Sequence, residues 1–198
     1  MTIPPDLKGY HQVLGDRFRQ LADSRPGLPV FAIEHGLEPE ELAVMRRHLA
    51  RQLELDPDIG SFGWSLCYLP LVVIASEVGY RYRGTGTDFW PLLAQELNLE
   101  SRSIPPAQLS RLFELSHRTF GLVRPGNSPW EQHFPHIAWP ISNAAVPVEV
   151  QGPLAKALRA AVRAGVSADS GEGLVHHVRG LASGLSGTRF ENWLRNAD

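Results

Sequence analysis

The chain of 198 residues holds one cysteine, Cys67, and that scarcity excludes a disulfide framework and any cysteine-rich zinc module. A reducing compartment is the default for such a sequence, so a cytoplasmic protein is expected. Lysine is nearly as scarce: only Lys8 and Lys156 occur, and 17 of the 19 basic residues are arginine. Arginine suits bidentate recognition of phosphate or carboxylate, although a biased genomic base composition gives the same excess with no ligand involved. Long hydrophobic runs are missing. The longest, Leu66 to Ala75, is ten residues, contains Pro70 and is followed by Glu77. As a helix it is too short for a hydrocarbon layer of about 30 Å and reads as buried core. Met1 to Asp6 has neither a basic n-region nor an apolar h-region, so no secretory signal is expected. Alternating strand patterns and fixed-period repeats are also absent, which disfavours sheets and solenoids.

What is present describes a globular chain. Apolar residues make up 43% and aromatics 9%, while charged residues are 20% with a net charge of -2. This composition excludes a disordered chain or a cationic tail, and the length supports a continuous core in one large domain or two small ones. The charge is uneven. Residues 1–100 carry nine basic against 14 acidic side chains, and residues 101–198 carry ten against seven. The excess in the second half is too small to mark a nucleic-acid footprint by itself.

Helical spacing organises most of the sequence. Pro4-Pro5-Asp6 starts a helix whose face is Leu7, Tyr10, Leu14, Phe18 and Leu21, and Arg25-Pro26-Gly27 ends it. Val30 to Ile33 reads as a short extended piece with no evident partner strand. Pro39 opens a second helix striped by Leu42, Met45, Leu49 and Leu53, with Glu40 and Glu41 suited to its N-terminal dipole. Gly60 to Gly63 reads as a linker before an apolar helix expected over Trp64 to Val78. Asp88 is expected to cap a short helix running through Leu97. A further helix follows Ser103-Ile104-Pro105-Pro106, with Leu109, Leu112, Phe113 and Phe120 on one face and Gly121 at its end. Pro135, Pro140 and Pro147 predict short kinked helices between Trp130 and Pro147. Pro153 is expected to open a helix through Arg163. Leu174 to Leu185 reads as a loosely packed helix, and Thr188 as the cap of a last segment. The expected fold is therefore mainly α, with short Pro-kinked helices and little or no sheet. One compact multi-helix domain over residues 1–198 is expected, with a candidate subdivision near 58–63 and a looser part over 165–198.

The motifs of chemistry are weak. His133 and His136 stand three apart near Glu131, but Pro135 interrupts the spacing and the two-histidine motif with an intervening glutamate is missing. His176 and His177 are adjacent and point apart on a helix. Packed or partly exposed histidines are the favoured reading, and no metal or cofactor is assigned. There is no G-x-S-x-G elbow, and Cys67 between Leu66 and Tyr68 reads as an inert core thiol of raised pKa. Gly84-Thr85-Gly86-Thr87 lacks the P-loop spacing and reads as a turn. Glu77 ends the apolar helix with Arg81 at i+4. An ion pair between them is the favoured reading, and the alternative is a buried carboxyl of raised pKa that serves as general acid or base. No catalytic residue is assigned.

Tyr80-Arg81-Tyr82-Arg83, followed by the glycine turn and Phe89-Trp90, interleaves cations with aromatics, a pattern that can stack bases and neutralise phosphates. The competing reading has the aromatics anchoring the turn in the core while the arginines face solvent. Lys156, Arg159, Arg163 and Arg179 form a second candidate phosphate contact, or a solvated face.

Two stretches carry a family resemblance. One is Leu69 to Leu97, with Gly79, Tyr80 and Tyr82 in a G-Y-x-Y turn and the pair Trp90-Pro91. The other is His133 to Leu158, with His133, Phe134, Ile137, Trp139, Pro140 and Ile141 in an H-F-x-x-I-x-W-P-I signature. Over roughly Trp64 to Leu158 the chain resembles the N-terminal helical region of a family of very large bacterial proteins from phage-defence islands. The resemblance implies a place in an antiviral system beside a helicase or nuclease partner, and brings no catalytic residue. The chain is far shorter than those proteins, which implies an isolated N-terminal module or a truncated relative. The expected function is thus a non-enzymatic protein-interaction module of a defence-type assembly, not bound to a membrane, with Trp130, Trp139 or Trp193 as anchors. The alternative is a nucleic-acid binder that uses Arg81, Tyr82, Arg83, Lys156, Arg159 and Arg163. An enzyme would need Glu77 in one pocket with His133 or His136.

Overall fold

The computed structural model describes residues 4–61, 63–83, 88–99, 104–126, 132–146 and 148–165, together with 176, 178 and 180. The fold is mainly α. Among the described residues seven α-helices are connected by turns, and two short 3₁₀ turns lie between them.

Helix α1 spans Leu7–Ser24 and starts where Asp6 caps it, Oδ1 accepting the Gly9 N–H at 2.8 Å. Its buried face holds Leu7, Tyr10, Leu14 and Phe18, as the three-and-four spacing predicts. The extended piece expected without a partner acquires one, because Val30 forms a single parallel bridge with Leu122 and its carbonyl accepts the Val123 N–H at 2.9 Å. The chain then tightens into the 3₁₀ turn Ala32–Glu34. Helix α2, Pro39–Leu55, begins with a reciprocal cap in which the Glu41 carboxylate accepts the Glu38 N–H at 3.0 Å.

The apolar helix is shorter at its start than its hydrophobicity predicts. Trp64–Leu66 is a 3₁₀ turn, and helix α3 spans Leu69–Arg81. Pro70 explains the boundary. In the first turn it forfeits no hydrogen bond, whereas a helix reaching back to Trp64 would drive its ring against the carbonyl of Leu66. From Leu69 to Ser76 every residue of α3 is buried, and Ser76 satisfies its hydroxyl on the Val72 carbonyl at 2.9 Å. A helix apolar on all sides belongs in the middle, and α3 packs against α1, α2, α4, α5, α6 and α7.

Helix α4 spans Phe89–Glu96 and α5 spans Pro106–Phe120, which ends as expected at Gly121 with φ +69°. Helix α6, Pro135–Ser142, contains Pro140 and lies against α3 at very close range. A Cβ on Gly79 would stand 2.7 Å from the Pro140 carbonyl oxygen, so only glycine allows this approach. Helix α7 spans Val148–Arg163, with Pro153 inside it rather than at its start. Val150, 1% exposed, packs with Ala157 and Val178, and this packing rewards a turn of helix ahead of the proline.

One apolar cluster runs from Leu7 to Ile137 across the glycine-marked stretch 58–63, where Ile59 and Trp64 are themselves buried. A second, small cluster joins Val150, Ala157 and Val178 with Leu154 and Leu158. The expected helix at 174–185 and the final segment lie outside the described residues, save that 176, 178 and 180 are helical.

Candidate functional site

The densest polar grouping joins α2, α3, α4 and the turn before α2. Glu77 is its centre, but not through the pair that sequence spacing favours. His35 Nε2 donates to Glu77 Oε1 at 3.1 Å, while Arg81 turns away to Glu96, Nη2 to Oε2 at 3.0 Å. Arg81 keeps only a bond from Nε to the Glu77 backbone carbonyl, at 3.3 Å. Glu96 is shared, its Oε1 meeting Arg46 Nε at 2.9 Å. Two carboxylates and two guanidiniums therefore balance. His35 escapes a reading based on local periodicity because it lies 42 residues from its partner. Its one local signal is its position beside Gly36, just before a capped helix start.

The hydrogen bond from His35 holds the Glu77 carboxyl below its ordinary pKa. It outweighs burial, and Arg81 and Arg46 add to the effect. The alternative reading of Glu77 as a carboxyl of raised pKa is corrected accordingly. Its environment makes it a hydrogen-bond acceptor that tethers the turn before α2. An open cavity of about 320 Å³ lies alongside, lined by Val78, Arg81, Tyr82, Leu92, Gln95 and Glu96.

Tyr82 is 1% exposed and meets Phe89 edge-on, with ring centroids 5.7 Å apart. Phe89 in turn meets Trp90 edge-on at 5.2 Å. The aromatics of this loop thus anchor it, and Tyr82 offers no ring face to a base. Arg81 and Arg83 face solvent, as the competing reading has it. The glycine turn 84–87 lies outside the described residues. Lys156, Arg159 and Arg163 are all exposed and share one stripe of α7, opposite Val150, Ala157 and Ala161. Arg179 lies outside the described residues.

The enzyme constellation does not assemble. Glu77 pairs with His35, whereas His136 Nδ1 meets the Ser110 hydroxyl at 2.8 Å and His133 is exposed. Glu131 and His177 lie outside the described residues, and among those described no three metal-ligating side chains converge. Cys67 is buried, and burial pushes its thiol pKa up, as its apolar neighbours predict.

One of the candidate anchors, Trp139, lines a cavity. The segment 124–126 and helix α6 enclose an open cavity of about 210 Å³ lined by Arg124, Pro125, Gly126, Gln132, Pro135, Ala138 and Trp139. Trp139 stacks on Phe113, with ring centroids 6.1 Å apart and planes at 28°, so its position is braced from the core. Asn143, fully buried, ties both walls together: Nδ2 donates to the Val123 carbonyl at 2.9 Å and to the Trp139 carbonyl at 3.1 Å. Trp130 and Trp193 lie outside the described residues.

No helix among the described residues is long and apolar enough to cross a membrane. No protein-family model, curated protein or solved structure matches the chain.

Proposed function

We propose that this chain is a non-catalytic helical interaction module that works in the cytoplasm as part of a bacterial antiviral defence-type assembly. The observation that carries the reading is the core-braced Trp139, which lines an open cavity of mixed polar and apolar character together with Arg124 and Gln132. A rigid aromatic in a concave surface is the usual energetic centre of a protein interface. The polar groups best suited to chemistry support the same reading, since they hold elements together: His35 with Glu77, Arg46 and Arg81 with Glu96, and Ser110 with His136. The defence assignment rests on the resemblance over Trp64 to Leu158, whose Trp139-Pro140 pair lies beside this cavity. A protein of that system, such as a helicase or nuclease, is the expected partner.

Capture from the native host tests the proposal, comparing the wild-type chain with an Arg124→Glu, Gln132→Glu double variant. Both residues are exposed, so the fold tolerates the change. A partner recovered by the wild type and lost by the variant is the expected result. No partner, with monomeric behaviour at high concentration, overturns it.

A second reading, nucleic-acid binding, draws on the aligned stripe of Lys156, Arg159 and Arg163 with the exposed Arg83. Affinity for duplex or single strands then falls steeply with salt, because each neutralised phosphate releases counterions. Absence of binding at low salt removes this reading.

A further inference from the structure

His35 is buried, and both of its ring nitrogens are committed. Nδ1 accepts the Leu37 backbone N–H at 2.9 Å, and Nε2 stands 3.1 Å from Glu77 Oε1. An N–H can be accepted only by an unprotonated nitrogen, so Nδ1 carries no proton and Nε2 carries one, donated to the carboxylate. That arrangement admits a single tautomer of the neutral ring. A second proton has only Nδ1 to occupy, where it would point at the Leu37 N–H. The imidazolium gains attraction to Glu77 while the turn loses its internal bond, and the Leu37 N–H is left in a buried site without an acceptor.

The surroundings localise the effect. Facing the ring and its turn are Glu77 and Arg81 from α3, Arg46 and Glu41 from α2, Arg17 from α1 and Glu96 from α4. Arg17 Nε also donates to the Glu34 carbonyl at 3.4 Å, and Arg25 pairs with the Glu34 carboxylate through two bonds of 2.9 Å. The near side of the turn is therefore held independently of His35. Ile33 N–H is held by the Asn143 carbonyl at 3.1 Å. Beyond the histidine, Gly36 has φ +70°, a conformation open to few other residues, and it leads directly to the start of α2.

We infer that His35 is a proton-operated latch on the turn between the 3₁₀ segment Ala32–Glu34 and α2: neutral, it closes the turn against α3; doubly protonated, it releases residues 36–38 while the rest of the bundle stays folded. The inference is independent of the interaction-module reading.

Residue-assigned NMR of the wild-type chain between about pH 7.5 and about pH 5 tests it. At the upper end the His35 nitrogen shifts report an unprotonated Nδ1 and a protonated Nε2. As the ring takes its second proton, the protection factor of the Leu37 amide falls about tenfold, the equivalent of one lost hydrogen bond. Protection at Ile33 and at Val72 in α3 holds. The Glu77→Gln variant, which keeps an acceptor but loses the charge, moves the midpoint of the transition to lower pH. The latch is overturned by a proton on Nδ1 at neutral pH, by a ring that stays neutral throughout, or by Leu37 protection that is unchanged once both nitrogens are protonated. Parallel loss at Ile33 and Val72 also overturns it, since that is global unfolding.

Discussion

Helices α3 and α7, of 13 and 16 residues, have opposite characters. Helix α3 is buried on every side through Ser76, reached by a glycine contact that leaves no room for a methyl group, and tied at its exposed end by Glu77 and Arg81. Helix α7 buries one stripe in a small cluster and turns Lys156, Arg159, Arg163 and the 70%-exposed Val162 to solvent. The comparison separates where this molecule keeps its stability from where it has surface to spare. Residues of α3 are constrained by six neighbouring helices. Those on the outer stripe of α7 are constrained by none among the described residues, so their chemistry is open to a function.

The sharpest break in that comparison is truncation at equivalent apolar positions. Leu71→Ala in α3, a fully buried site, costs about 3–5 kcal/mol, whereas Leu158→Ala in α7, only partly buried, costs about 1 kcal/mol. Denaturant unfolding of the two variants measures the ratio, and equal losses would mean that α7 is as integral to the core as α3.

Glycine gives a second contrast. At Gly79 an added methyl meets the Pro140 carbonyl at 2.7 Å, and Gly79→Ala loses about 3 kcal/mol, since neither backbone can retreat. At Gly152 nothing lies within 4 Å. There the helical advantage of alanine, about 1 kcal/mol, is opposed by the crowding a residue suffers before proline, and Gly152→Ala stays within about 0.5 kcal/mol of wild type. A tolerated Gly79→Ala would show that α6 can shift away from α3.

Much of this division is legible before any coordinates. The stripes Leu7 to Phe18, Leu42 to Leu53 and Leu109 to Phe120 repeat at helical spacing, and Pro39 and Gly121 mark a beginning and an end where backbone chemistry demands one. The unbroken apolarity of Leu69 to Ala75 marks a central helix in the same way. Local spacing fails where partners are distant. Glu77 has a cation four residues on, yet it is taken by His35, because burial selects the partner that also satisfies a backbone N–H. Tyr82 sits in a cation-aromatic pattern suited to a nucleic-acid surface, but Phe89 claims its ring. The Val30–Leu122 bridge and the Trp139 cavity arise from tertiary placement and leave no periodic trace.

A smaller effect tests the polar end of α3. Glu77→Leu strands the His35 Nε2–H and costs about 2 kcal/mol near neutral pH. The sign of the pH dependence follows from linkage. Because the folded-state pKa of Glu77 is depressed, its stabilisation is full above the ordinary carboxylate range and is lost as pH falls through the lower folded value. The difference between wild type and Glu77→Leu therefore shrinks in that acid window. A difference that instead grows as pH falls through that carboxylate window would assign the stability to another group.

The smallest expected change in stability is the most informative about function. Reversing Lys156, Arg159 and Arg163 together to glutamate alters exposed positions on the outer stripe of α7, so unfolding free energy shifts by no more than about 0.5 kcal/mol. If that stripe contacts phosphates, the same variant lowers the salt slope of duplex binding by about 2.7, the contribution of three neutralised phosphates. A slope unchanged by the reversal places the contacts elsewhere, whereas loss of the captured protein partner gives the stripe to the protein interface. The two readings of this face thus separate on a variant whose fold is intact, and only the outer stripe of α7 permits that separation, since a charge reversal on the buried faces of α3 would destroy the molecule along with the contact.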